Sequence, residues 1–200
     1  KILAAGVSFD GRLYLPASLG EALAGTLFPP ACLLAPRLNQ GFWVLDAGVF
    51  ARVLSDLDGP QGEMVCAVFD DADAAGELLM GFCKEALPHQ ARDPLQLKQR
   101  LLQKIEVGHL YLWKAAGKAV AMAAEVRRTQ GVSAISWVYT RPEYRGQRFA
   151  FALMGALSQR LLQEGRTCCL FTDLNNPVSG HVYKKLGYRQ HEQWLTLSLD

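Results

Sequence analysis

Two stretches of this chain carry residue types and spacings suited to holding an anion. The first is VYTRPEYRGQRFAFALMGAL, residues 138–157, where a strand runs into a short loop, Arg145-Gly146-Gln147, and an apolar helix begins at once. Backbone N–H groups at a helix start lack internal partners, and with the macrodipole they form an anion site. The donors expected here are the amides of Gln147, Arg148, Phe149 and Ala150, and the small side chain of Ala150 lets a diphosphate come close. Arg141, Arg145 and Arg148, all within eight residues, add positive charge. By itself this pattern is common, because many helices follow a glycine and a few arginines.

The second stretch is DLNNPVSGHVYKKLGY, residues 173–188. Asn176 is a natural helix N-cap and Pro177 a natural first helical residue. Tyr183 lies one position off the apolar face of Val178, Val182 and Leu186. Periodicity alone makes it a packing tyrosine more often than a catalytic one.

The elements that must position these residues follow from apolar spacing. Residues 64–69 read as a strand, AAGELLMGFCKEAL as a helix, and Pro94 opens another helix. HLYLWKA and AVAMAAEVRR form a hairpin about Ala116-Gly117-Lys118, and VSAISWVYT follows as a third strand. Phe149, Leu153, Leu157 and Leu161 mark one face of a long helix that Gly165 stops. TCCLFTDL is apolar on both faces, as a central strand would be. A short helix from Pro177 to Gly187 and an alternating last strand complete the order β-α-α-β-β-β-α-β-α-β, a mixed α/β domain. Upstream, Asp56 to Gly62 is a break in composition. Residues 1–62 are expected to be an accessory segment or the remnant of a preceding domain, with helical spacing at Leu19, Leu23 and Leu27, and 63–200 the main domain.

Half of the 200 residues are hydrophobic, a fifth are charged, and the net charge is +2. That composition gives no case for a nucleic-acid partner. No apolar run reaches the roughly 18 residues of a membrane span, and a cytoplasmic location is expected. The five cysteines, Cys32, Cys66, Cys83, Cys168 and Cys169, show no metal-type spacing and are expected to be buried reduced thiols, with no metal site.

Together the two stretches resemble the GNAT acyltransferase superfamily. The phosphate-loop pattern R/Q-x-x-G-x-G/A is matched by Arg145 to Ala150, with Arg148 in place of the central glycine. The pattern N-x-x-A/S-x-x-x-Y-x-x-x-G-F/Y is met by Asn176, Ser179, Tyr183, Gly187 and Tyr188. The likeness covers about residues 64–200 and is nearest to bacterial acetyltransferases that carry an extra N-terminal region. It implies a strongly twisted central sheet flanked by helices. In the first turn of a helix Arg148 would have negative φ, with its side chain free to reach a CoA phosphate.

The resemblance implies transfer of an acetyl group from acetyl-CoA, a co-substrate, to a primary amine of a small molecule or protein, by direct attack and without a metal. Val138, Tyr139 and Thr140 would offer the strand edge to pantetheine, with a backbone N–H near Val138 for the oxyanion. Arg145, Gly146, Gln147, Arg148, Phe149 and Ala150 would hold the diphosphate, Asn176 and Ser179 would line the far side, and Tyr183 would be the general acid. Glu125 is a candidate base, with an ion pair to Arg127 or Arg128 as its plainer role, and His181 is expected to face solvent. Eight acids against one base between Asp56 and Glu85 suit either a cationic acceptor or a solvated face. The alternative function is a non-catalytic acyl-CoA sensor of the same fold. A homodimer is compatible with either.

Overall fold

The computed structural model of the protein describes residues 6–7, 12–16, 35–53, 59–87 and 93–198. The helix expected through Leu19 to Leu27 lies outside them, as does Cys32. Among the described residues four elements precede residue 63: β1 (Gly6–Val7), β2 (Arg12–Pro16), β3 (Ala35–Leu45) and α1 (Ala47–Val53). Asp46 separates the last two, its carboxylate accepting the Val49 N–H at 3.0 Å to start the helix.

From residue 63 the elements follow the apolar periodicity in the expected order. They are β4 (Glu63–Cys66), α2 (Ala72–Ala86), α3 (Pro94–Glu106), β5 (Leu110–Ala115), β6 (Lys118–Thr129), β7 (Val132–Thr140), α4 (Phe149–Gln163), β8 (Thr167–Asp173), α5 (Pro177–Lys185) and β9 (Tyr188–Ser198). Asp93 caps α3 by accepting the Leu95 N–H at 2.9 Å. The strand read over 64–69 ends at Cys66 instead. Asp71 accepts the Val68 N–H at 3.2 Å, and the chain turns through a short 3₁₀ segment, Phe69–Asp71, before α2.

The nine strands form one sheet in the order β1-β2-β9-β3-β8-β7-β6-β5-β4. Among the described residues only β7 and β8 are parallel neighbours within it. Strand β3, from the segment ahead of residue 63, fills the slot between β8 and β9. Its Trp43 and Leu45, with Phe50 of α1, join the core under α4 alongside Leu153, Leu157 and Leu161. On the opposite face α2 and α3 bury Leu78, Leu79, Leu97 and Leu101 against Leu110, Leu112 and Met122. A smaller cluster, Phe42 with Cys169, Val132 and Ala134, lies farther along that second face.

Candidate active site

The parallel ladder between β7 and β8 pairs Val132 with Thr167 and ends at Ile135 with Leu170. Beyond that pair β7 continues to Thr140 and β8 to Asp173, so the two strands part at their C-terminal ends. Strand β7 also carries a bulge. Met122 stands opposite Tyr139 and Ala124 opposite Ser136, which leaves Trp137 and Val138 facing the single Ala123. Trp137 has φ 55°, an uncommon conformation for a bulky residue. The bulge sends Val138 towards the α4 core and Trp137 and Tyr139 towards the α2–α3 core.

At the open end of this gap Thr140 Oγ1 is buried and has no hydrogen-bond partner among the described residues. Buried hydroxyls are nearly always satisfied, so an orphan beside an open strand edge fits a site that receives a polar ligand. The loop above leads through a 3₁₀ turn, Pro142–Tyr144, and Gly146 at φ 77° into α4. The first helical bond runs from Ala152 N–H to Arg148 O at 3.0 Å. The helix-start amides that lack an intrahelical partner therefore extend to Phe151, one residue later than the sequence led us to expect. Gln147 precedes the helix, and its side-chain amide donates to Glu143 O at 3.5 Å.

Arg148 corrects a second expectation. It is the N-cap residue with φ 65°, not a first-turn residue with negative φ. Such a conformation costs a non-glycine residue roughly 1–2 kcal/mol. Its guanidinium lies 4.9 Å from the centroid of the Phe151 ring, a stacking contact that offsets part of that cost.

The other two arginines are engaged by α2. Arg145 Nη2 is 2.8 Å from both carboxylate oxygens of Glu85, and its Nε donates to Thr140 O at 3.1 Å. The Tyr139 hydroxyl donates to the same carboxylate at 2.9 Å. The hydrogen bond from Arg145 holds the Glu85 carboxyl below its ordinary pKa. Arg141 pairs with Glu77 at 2.7 Å, and Lys114 with Asp71 at 2.6 Å. Asp71 and Glu77 of the acidic run ahead of Glu85 therefore serve as countercharge to the loop and its surroundings. A side chain at Gly81 would have its Cβ 2.5 Å from the Tyr139 hydroxyl, so glycine is what lets α2 sit this close.

Across the gap, Asn176 stands immediately before α5, and its N–H donates to Asp173 O at 3.1 Å. Ser179 lies within α5. Tyr183 is 7% exposed and belongs to the core, where periodicity alone put it at the edge of the apolar face. It meets Tyr188 edge-on with ring centroids 5.9 Å apart. Burial raises its phenol pKa well above the ordinary value. His181 is exposed.

Glu125 is fully buried and closed into a cluster. It accepts from Ser133 Oγ and, at 3.2 Å, from Arg128 Nη1, with Arg166 Nε 3.8 Å away and His109 Nε2 at 3.7 Å. Of the two partners expected, Arg128 takes the pair. Cys168 and Cys169 are buried, and burial pushes their thiols up to about 12 and about 11, so both stay neutral. Cys66 is exposed and Cys83 half-buried, against the expectation that all the thiols are buried. Among the described residues no group of three His, Cys, Asp or Glu side chains is placed to hold a metal, and no helix is long and apolar enough to cross a membrane.

Sequence reasoning placed Glu77 and Glu85 in the acidic run without a partner for either, and did not single out Trp137 or Trp43. The eight-residue spacing of the two glutamates was a usable signal, since it places both on one face of α2.

Residues 114–196 match the family described as FR47-like protein. No curated protein matches the sequence significantly. Several solved structures share the fold at low identity. An acetyltransferase of the GNAT family from Colwellia psychrerythraea aligns with TM-score 0.68 at 15% identity, over 94% of this chain and 64% of its own. A GCN5-related N-acetyltransferase from Sphaerobacter thermophilus gives 0.67 at 17%, over 93% and 58%. A predicted acetyltransferase with acetyl-CoA from Clostridium acetobutylicum gives 0.52 at 18%, over 64% and 90%. The chain thus spans less than two thirds of the length of the first two structures.

Proposed function

From a chain with the GNAT acetyltransferase fold, we propose an acyl-CoA-dependent N-acyltransferase that moves an acetyl group from acetyl-CoA to a primary amine. The observation that carries this reading is the gap between β7 and β8, open beyond Ile135 and Leu170 and capped by the amides that start α4. A peptide-like pantetheine arm suits such an edge, because it can hydrogen-bond as a strand does. The orphan hydroxyl of Thr140 supports a polar occupant there. The amides of Arg148 to Phe151 suit a diphosphate. Asn176 and Ser179 are assigned to the cofactor's far side by their place in the motif.

Acetyl-CoA supplies an activated thioester when bound. The acceptor ammonium, with a pKa near 10.4, first loses a proton. The amine nitrogen then bonds to the carbonyl carbon, the C–S bond breaks, and the nitrogen sheds its second proton to solvent as the amide forms. A backbone N–H at the Trp137–Val138 bulge stabilises the charge developing on the carbonyl oxygen. Tyr183 is assigned the proton given to the departing sulfur by its place in the motif; its phenol is protonated across the neutral range, and burial, by raising its pKa, makes it a weaker acid. Deep burial also fits a tyrosine that only packs, so substitution decides between the two.

One observation favours a non-catalytic acyl-CoA sensor. Neither Glu125 of β6 nor Glu85 of α2 is poised as a base, since Glu125 is enclosed and Glu85 is held by Arg145. Deprotonation by solvent reconciles that with turnover. The deciding experiment pairs calorimetry with acetyl-CoA and release of CoA thiol over an amine panel. Binding with turnover supports the transferase, binding without turnover the sensor, and absence of binding defeats both.

A further inference from the structure

The bulge at Trp137 and Val138 has a counterpart on the neighbouring strand. From the hairpin turn the β6–β7 ladder runs regularly, Thr129 with Val132, Arg128 with Ser133 and Arg127 with Ala134. The next pair is Glu125 with Ile135, so Val126 is an extra residue on β6. Ala124 then faces Ser136, and the extra residue of the second bulge falls on β7 before Met122 meets Tyr139 and Ala121 meets Thr140. The two bulges cancel, because Ala121 to Thr129 and Val132 to Thr140 contain the same number of residues. Both ends of the ladder are tied down. At the turn Arg166 Nη2 donates to Thr129 O at 2.6 Å and to Val132 O at 2.8 Å. At the far end the Arg141 N–H donates to Val120 O and its Nε to Ala119 O, each at 3.0 Å. With the ends fixed, an extra residue on one strand requires one on the other. Loss of the bulge at Val126 would set Ala124 opposite Trp137 and Ala123 opposite Val138, a straight ladder with no bulge beside the gap.

The bulge at Val126 has its own support. Strand β5 pairs with β6 as far as Leu110 with Ala124, and the Glu125 N–H still donates to His109 O at 2.9 Å. Past that point the Lys104 ammonium of α3 takes the place of the strand. It donates to Glu125 O at 2.9 Å and to Val126 O at 3.0 Å. Consecutive carbonyls of a regular strand point to opposite edges, so one ammonium reaches both only where the strand is bulged. The buried Glu125 side chain adds a second tie, accepting from Ser133 Oγ of β7 and from Arg128 Nη1.

We propose that Lys104 is a positioning residue for acetyl transfer: by clamping the Val126 bulge on β6 it maintains the compensating bulge at Trp137 and Val138 on β7. This rests on the transferase reading above, which assigns a backbone N–H of that second bulge to the oxyanion. Lys104 acts through the ladder and not by contact with the reacting atoms. Its loss should therefore slow the chemical step more than it weakens a cofactor held mainly at the start of α4.

The test has two arms on the intact chain, both at a temperature where every variant is folded. The first reads CoA thiol release from acetyl-CoA with butylamine, spermidine and a lysine peptide, alongside calorimetry with acetyl-CoA. We expect Lys104→Met to lower kcat at least tenfold while the dissociation constant for acetyl-CoA stays within about threefold. Lys104→Arg keeps donors for both carbonyls and should recover most of the loss. Ile105→Val weakens the core of the same helix without touching the carbonyls and should leave kcat as it is. Lys104→Gln serves if the methionine variant does not fold. The second arm reads cross-strand contacts by NMR without ligand. In Lys104→Met, contacts of Ala124 with Trp137 and of Ala123 with Val138 should replace that of Ala124 with Ser136. An unchanged kcat, an equal loss in Ile105→Val, or a bulge at Trp137 that persists without Lys104 overturns the inference. If the unaltered chain shows no turnover, the transferase reading fails, and the NMR arm alone decides whether Lys104 holds the second bulge.

Discussion

Arg145 and Glu85 join the loop ahead of α4 to helix α2, with both carboxylate oxygens 2.8 Å from one guanidinium nitrogen. The pair is about half exposed on each side, so its own contribution to stability is small, about 0.2–1 kcal/mol. Its effect on an anionic ligand is larger in meaning than in energy: the loop's central cation is partly spent before any diphosphate arrives. Glu85→Gln should therefore tighten acetyl-CoA binding by roughly two- to fivefold, the same energy expressed as affinity. Arg145→Glu should weaken it at least tenfold. Calorimetry at fixed ionic strength reads both, and weaker binding by the glutamine variant would show that Glu85 positions Arg145 instead of competing for it.

Tyr183→Phe keeps the ring and its contact with Tyr188 while removing the proton. If Tyr183 is the acid, kcat should fall about a hundredfold with the dissociation constant for acetyl-CoA nearly unchanged. An unaltered kcat would leave Tyr183 as a core residue only.

Arg148→Gly removes the cost of a left-handed backbone at a non-glycine residue. Flexibility gained by the unfolded chain and loss of the Phe151 contact work against it. The balance should be a gain of about 0.5 kcal/mol, seen as a higher denaturation midpoint. Destabilisation by more than about 1 kcal/mol would mean that the arginine's contacts outweigh its strain.

Acid should destabilise the fold through His109. Desolvation lowers its pKa below the ordinary value, against the opposing pull of Glu125. The unfolded chain takes up a proton near pH 6.5, whereas the native imidazole resists it to lower pH. Stability is thus intact above about pH 6.5 and declines as pH falls through and below that value. Glu164, whose pKa is lowered by its hydrogen bond from Arg128, adds loss of the same sign at lower pH. His109→Gln should flatten the midpoint's pH dependence between about pH 7 and 5, and an unchanged slope would exclude this source.

Most of the domain after residue 63 is legible in the sequence because its periodicity is strong. Leu153, Leu157 and Leu161 are all fully buried, as their spacing requires. The strand–loop–helix order through Gly146 is legible for the same reason, since a strand, a glycine and an apolar helix follow in turn. What pattern alone does not reveal is pairing across the chain. That Glu85 answers Arg145 across sixty residues, or that β3 enters between β8 and β9, depends on tertiary packing. The positive φ of Arg148 was missed because a helix start was placed one residue early. Tyr183 was placed at an edge because a narrow apolar stripe was assumed, whereas α5 is covered more widely.

The place of β3 has a consequence for the proposed boundary near residue 62. Deleting residues 1–60 removes β3 and leaves facing edges of β8 and β9 without partners, so we expect loss of solubility before any loss specific to acetyl-CoA affinity. Sedimentation of the truncated chain with calorimetry on its soluble fraction checks this. Undiminished solubility with abolished binding would contradict it.

The most direct measurement is amide hydrogen exchange with and without saturating acetyl-CoA. If the cofactor lies along the parted strands, the amides of residues 136–140 and 148–151 should exchange more slowly in its presence, while β4 and β5, away from the gap, remain as they were. Protection absent from both stretches, or found only elsewhere, would contradict the account.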